Sequence, residues 1–237
     1  MINNILTKTK VLFQIIDMRV SQNEVPSLYC YNIFSLYLQC MEIREGRIED
    51  APFIAEAVMG AMGDKLCVGL ADSPDRLPLV QRLFIALAED SFSQYSYKNA
   101  LIAVNSEGEQ IGAIIAYDGA NLHYLRRAFI REANIILGWN VSEEDAAKWG
   151  DETDESEIYI DSLYVVKKWC KQGVASGLLN RVNTKFQGAG KPLGLLVEPE
   201  NKKARTTYEH WGFKEVGISN FFATPMIHMQ LPSMGNY

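Results

Sequence analysis

The chain has 237 residues, 48% of them hydrophobic, and a formal net charge of −6. That length and apolar content suit a single sizeable core, and the acidic balance argues against nucleic acid as the main partner, since phosphate backbones are met by basic faces. No apolar run approaches a membrane span, and the run from Val11 to Ile16 ends at Asp17 with no small-residue cleavage site behind it.

Residues 1–40 lack a sustained period and differ in pattern from the rest of the chain. They read either as an N-terminal arm, packed on the domain or on a neighbouring subunit, or as an upstream extension with Met41 as the initiator. Met41-Glu-Ile-Arg44 begins a first strand, followed by a helix over 49–62. Asp72-Ser-Pro-Asp75 marks a turn. The spacing then predicts a helix over 77–92 with Leu79, Leu83, Ala86 and Leu87 inward. Strands at 100–104 and 111–117 flank a polar turn at Glu107-Gly108, a hairpin pattern. Residues 121–150 form a helical insertion, with a helix over 125–137 and a cap at Ser142-Glu-Glu-Asp145. Two closing strands are predicted at 215–218 and 225–231.

The densest pattern runs from Ile158 to Phe213. A strand, Ile158-Tyr-Ile-Asp-Ser-Leu-Tyr-Val-Val166, is rich in β-branched and aromatic residues. A polar turn leads to Gly173-Val-Ala175 and a helix carrying Ala175, Leu178, Leu179, Val182 and Phe186 on one face. A second strand, Leu193-Gly-Leu-Leu-Val197, precedes Asn201 and a short helix bearing Ala204, Tyr208 and Trp211, stopped by Gly212-Phe213. A small-residue loop opening a helix after a strand lets backbone N–H groups approach a pyrophosphate at the positive helix end. Other phosphate folds fit poorly. The Gly190-Lys191 pair is followed by Pro192, so it is no P-loop, and Gly173-Val-Ala-Ser-Gly177 lacks the dinucleotide spacing.

The ordered series of strand, loop, Gly173-x-Ala175 helix, strand, Asn201, Ala204, Tyr208 and Gly212-Phe213 resembles the GCN5-related N-acetyltransferase (GNAT) family. The resemblance covers about residues 42–231 and departs from the family pattern at the first loop position, here Cys170. It implies an α/β fold: a mixed, largely antiparallel sheet flanked by helices and split at the cofactor-binding strands. It also implies one domain over 41–237. The implied activity is acetyl-CoA-dependent N-acetyl transfer to a primary amine, small-molecule or peptide, without metal. By this resemblance Leu163, Val165, Cys170, Lys171, Gln172, Gly173, Val174, Ala175, Ser176, Asn201, Ala204 and Tyr208 meet the cofactor, and a bulged backbone near Val165 leaves an N–H for the thioester oxygen. Lys167, Lys168, Lys202 and Lys203 read either as contacts to the cofactor phosphates or, the more common outcome, as solvated loop lysines. The rival reading is a degenerate CoA-binding module on the same fold.

Transfer to an amine needs a proton taken from nitrogen and one returned to sulfur. Tyr208 falls where the resembling family places the acid for the departing thiolate. Asp161 and Glu157, an even number apart and sharing a strand face with Tyr159, are the base candidates. The acidic stretch Asp151-Glu-Thr-Asp-Glu-Ser-Glu157 is read either as a solvated loop or as an attractor for a cationic acceptor. Cys30, Cys40, Cys67 and Cys170 form no CxxC pair and no zinc pattern with His123, His210 or His228. They read as free thiols in a reducing cytoplasm, with no membrane association and a homodimer left open.

Overall fold

The computed structural model describes residues 41–221 and 224–233. The expectations for residues 1–40, Cys30 and Cys40 among them, lie outside the described residues. Seven strands form one sheet: β1 (Met41–Glu45), β2 (Ala100–Asn105), β3 (Gln110–Asp118), β4 (Ile158–Val165), β5 (Leu193–Val197), β6 (Lys214–Phe221) and β7 (Thr224–Leu231), in the order β1-β2-β3-β4-β5-β7-β6. Every neighbouring pair is antiparallel except β4–β5. A parallel pair needs a long crossover, which the helix α5 (Val174–Phe186) supplies. The β2–β3 hairpin turns through Gly108, whose φ of 80° suits a residue without Cβ.

The other helices are α1 (Ala51–Ala71), α2 (Leu77–Glu89), α3 (Leu122–Ile136), α4 (Glu143–Ala146) and α6 (Lys202–His210). Proline near the start of α1 and α2 gives up an N–H that has no partner in the first turn. Ser142 and Asn201 cap α4 and α6 by accepting the N–H of Asp145 and Ala204. Two helices differ from the sequence expectation. The first does not stop at 62: it breaks at Gly63 (φ 78°, ψ 163°) and resumes to Ala71. The second ends at Glu89, and its inward face holds Val80, Leu83, Phe84, Leu87 and Ala88, leaving Leu79 and Ala86 only half-buried.

The sheet separates two apolar layers because successive strand residues face opposite sides. On one side Ile102, Ala113 and Ile115 pack with Ile54, Val58, Leu83, Phe84 and Leu87. On the other, Leu178, Leu179 and Val182 of α5 pack on Leu101, Ile114, Ile158, Ile160 and Leu195. Each such buried side chain contributes about 1.5–3 kcal/mol, so α5 is held by its apolar stripe. Among the described residues no helix is long and apolar enough to cross a membrane.

Two irregularities shape the centre of the sheet. β4 and β5 pair only at Ile158↔Leu193 and Tyr159↔Gly194, and beyond those positions the register ends. β3 pairs Ile115 with Ser162 but Ala116 with Ile160, so Asp161 is the extra residue of a β-bulge. The expected bulge near Val165 is therefore displaced: Val165 stands in register with Gly112. The extra residue reverses the alternation of β4. Ile158 and Ile160 face α5 before it, and Leu163 and Val165 face the same side after it.

Candidate active site

The loop before α5 folds tightly because two of its residues take positive φ, Lys171 at 63° and Gly173 at 84°. Gly173 is the N-cap of α5, no side chain caps that end, and no acidic residue stands in the first turn. The backbone N–H groups of Val174, Ala175 and Ser176 thus open a 13-residue helix whose dipole favours an anion. Gln172 turns its amide back, its Nε2 donating to the Lys168 carbonyl at 2.8 Å. Lys171 is exposed, and Lys168 pairs with Glu109. The Cys170 thiol is exposed and faces the Val165 carbonyl at 3.7 Å.

Where β4 and β5 part, a cavity of about 540 Å³ opens between α1, the two strands and α6. Leu163 and Asp161 of β4, Leu196 of β5, and Asn201, Ala204 and Tyr208 line it together. The structure therefore joins the cap and the helix face of α6 to the bulged strand. Tyr208 packs edge-on against Trp211 at 5.7 Å and Phe213 at 5.6 Å. Burial raises its phenol pKa above the usual value, so it stays protonated at neutral pH.

Asp161 is half-buried and faces the cavity. Burial pushes its carboxyl up to about 7; the Ser162 hydroxyl, donating at 2.8 Å, opposes the rise and the Glu152 carboxylate adds to it. Glu157 goes elsewhere. It is fully buried, receiving Thr153 Oγ1 at 2.7 Å and Gln230 Nε2 at 2.8 Å and bonding His228 Nε2 at 2.8 Å. It is not among the residues lining the cavity. The two acids proposed as alternatives are separated into a cavity group and a buried, hydrogen-bonded acid.

Several residues on the cavity had no place among the expected site residues; of these Glu152 alone carried an expectation, within the acidic stretch 151–157, and its burial sets it apart from a solvated loop acid. Glu152, buried at 3% exposure, lines it and accepts from Arg126 Nη2 and from Gln94 Nε2 at 2.6 Å. Tyr117 donates to the same carboxylate at 3.5 Å. Tyr95, Phe84 and Phe129 complete that end. A signal for the network did exist: Arg126 falls four residues after Leu122 and three before Phe129, inside the apolar stripe of α3. A charge in such a stripe needs a buried partner. Of the histidines, His123 meets Asp151 at 3.2 Å and His210 Nδ1 meets the Thr206 carbonyl at 2.6 Å, both away from the cavity lining.

The sheet parts at its one parallel pair among the described residues, and the cavity at that gap is lined from β4, β5 and α6 but by none of residues 170–176. Residues 146–231 match the family model described as acetyltransferase (GNAT) domain, the stretch that holds most of the motifs of the resemblance. No curated protein matches the sequence. Among solved structures, the chain is similar to an acetyltransferase at 24% identity and a TM-score of 0.60, over 81% of this chain and 99% of that one. It is similar to an N-acetyltransferase from Staphylococcus aureus Mu50 at 20% identity and 0.60, over 80% and 100%. A third, described as histone acetyltransferase HPA2 and related acetyltransferase, from Corynebacterium glutamicum ATCC 13032, matches at 17% and 0.59, over 83% and 98%. These likenesses give the fold over most of the chain.

Proposed function

We propose that this protein transfers an acetyl group from acetyl-CoA to a primary amine. The observation that carries the reading is the cavity at the β4–β5 gap, whose lining Asp161 and Tyr208 share. The pyrophosphate is received by the N–H groups of Val174, Ala175 and Ser176, where a positive φ at Gly173 clears the approach. The pantetheine arm enters past Asn201 and Ala204.

In the reaction the acceptor's ammonium first gives a proton to Asp161, directly or through one water. The free nitrogen bonds to the acetyl carbon, the carbon–sulfur bond breaks, the thiolate takes the Tyr208 proton, and the second proton shed by the nitrogen as the amide forms leaves through water to bulk solvent. A carboxyl at about 7 is poised for the first task at neutral pH, and a phenol raised by burial for the second. Bulk solvent later restores both groups. Glu157, enclosed by His228, Gln230 and Thr153, is assigned to positioning the strands.

Thermal shift with acetyl-CoA and thiol release across an amine panel test the reading. Gly173→Glu, which puts bulk and negative charge at the helix end, is expected to abolish the shift. An unchanged shift places the cofactor elsewhere. A shift without thiol release from any amine supports a CoA-binding module instead.

A further inference from the structure

The cavity is one-sided in charge. Among the described residues lining it, Glu152, Asp161 and Glu198 carry carboxylates, and none is Lys, Arg or His. Arg126 reaches Glu152 from α3 and is shared with Asp151 at 3.0 Å, which His123 also meets at 3.2 Å, so the arginine is already engaged by two carboxylates. The Glu152 carboxylate is also fixed in place by Gln94 and Tyr117. Beside these acids the wall is apolar, formed by Met62, Leu66 and Leu70 of α1 with Phe84 and Phe129.

An ammonium entering this space gains from the carboxylates of Glu152 and Asp161. A carboxylate attached next to the acceptor nitrogen would be held against the same two acids with no cation to receive it, which costs binding severely. The geometry points to an acceptor that is a small primary amine with an apolar body and no carboxylate beside the nitrogen, its ammonium received between Asp161 and Glu152. A volume of about 540 Å³, part of it taken by the cofactor's acetyl end, suits a small molecule. Glu152 is then a specificity residue: it holds the cation while Asp161 takes the proton. This inference rests on the function proposed above.

The test compares matched pairs differing only in that carboxylate, 2-phenylethylamine with phenylalanine and tryptamine with tryptophan, together with a peptide bearing a free N-terminus. Thiol release with acetyl-CoA gives kcat/KM for each, and thermal shift reports cofactor binding. The amine of each pair is expected to be favoured by at least about 10-fold, a lower bound on what a like-charge juxtaposition costs. Glu152→Gln, with its acetyl-CoA shift intact, is expected to raise the amine's KM more than it lowers kcat and to narrow the gap within each pair. Should that variant fail to fold, the parent protein's pair ratios decide alone. Equal or reversed preference, turnover confined to the peptide, or no turnover of any amine while acetyl-CoA binds overturns the inference. If acetyl-CoA itself gives no shift, the proposed function fails first and takes this inference with it.

Discussion

Glu157 and His228 meet at 2.8 Å across the closed end of the sheet's gap, just where the two paired residues of β4 and β5 lie. Glu157 immediately precedes β4, His228 sits on β7, and β5 runs between them. The contact therefore ties three strands at the point from which β4 and β5 diverge. With only two residues of backbone pairing there, side chains supply much of what fixes the angle of the gap.

This pair has a pH signature. The hydrogen bond that His228 Nε2 donates to the Glu157 carboxylate is the largest cause of its raised pKa, with burial opposing it. A histidine whose folded pKa lies above its unfolded value of about 6.5 binds its proton more tightly when folded. The resulting stability is fully present below that unfolded value and is lost as pH rises through the raised one. Replacing His228 with Gln should lower Tm most at pH 5.5–6 and least at alkaline pH. A Tm difference that does not vary with pH would show that the pair stays neutral.

The carboxyl of Glu157 occupies the space where a side chain on Gly194 would begin, since a Cβ there would lie 1.7 Å from Glu157 Oε2. Gly194→Ala must displace a fully buried, three-partnered acid. It should cost at least about 1–3 kcal/mol, the usual range for overpacking. Combining it with Glu157→Ala should give less than the sum of the two losses, because the clash is then gone. Denaturant unfolding of the four proteins measures this, and strict additivity would contradict the close approach.

Asp161 sets the acidic limb of the proposed reaction. With its carboxyl at about 7, a base is protonated and inactive below neutrality and available above it. The parent kcat/KM is therefore expected to fall as pH drops through about 7, and Asp161→Asn to remove that limb while lowering the rate throughout. A parent profile flat between pH 6 and 8, for an acceptor whose own pKa lies outside that window, would remove Asp161 from the chemistry.

Tyr208→Phe keeps the ring that packs edge-on against Trp211 and Phe213 and deletes the transferable proton. The expected loss is about 100-fold or more in kcat, the typical contribution of a general acid, with acetyl-CoA affinity nearly unchanged. Single-turnover measurements keep chemistry rate-limiting for this comparison. A parental rate there would leave Tyr208 with a packing role only.

Much of this protein is legible in local pattern. The strands, the Gly173 loop, the Asn201 cap and the apolar stripe of α5 each depend on residues close in sequence, whose periodicity and turn chemistry are written locally. The bulge at Asp161 was half-written: apolar residues shift from even positions, Ile158 and Ile160, to odd ones, Leu163 and Val165. A parity read straight through the strand hides that change. What the tertiary structure alone decided is the company each acid keeps. Glu152 meets Gln94 and Arg126, 58 and 26 residues away, and Glu157 meets His228 and Gln230, 71 and 73 residues away. Whether a carboxylate becomes a clamp, a specificity group or a base near pH 7 depends on desolvation and on partners brought from distant segments. Neither is encoded in the few residues on either side of it.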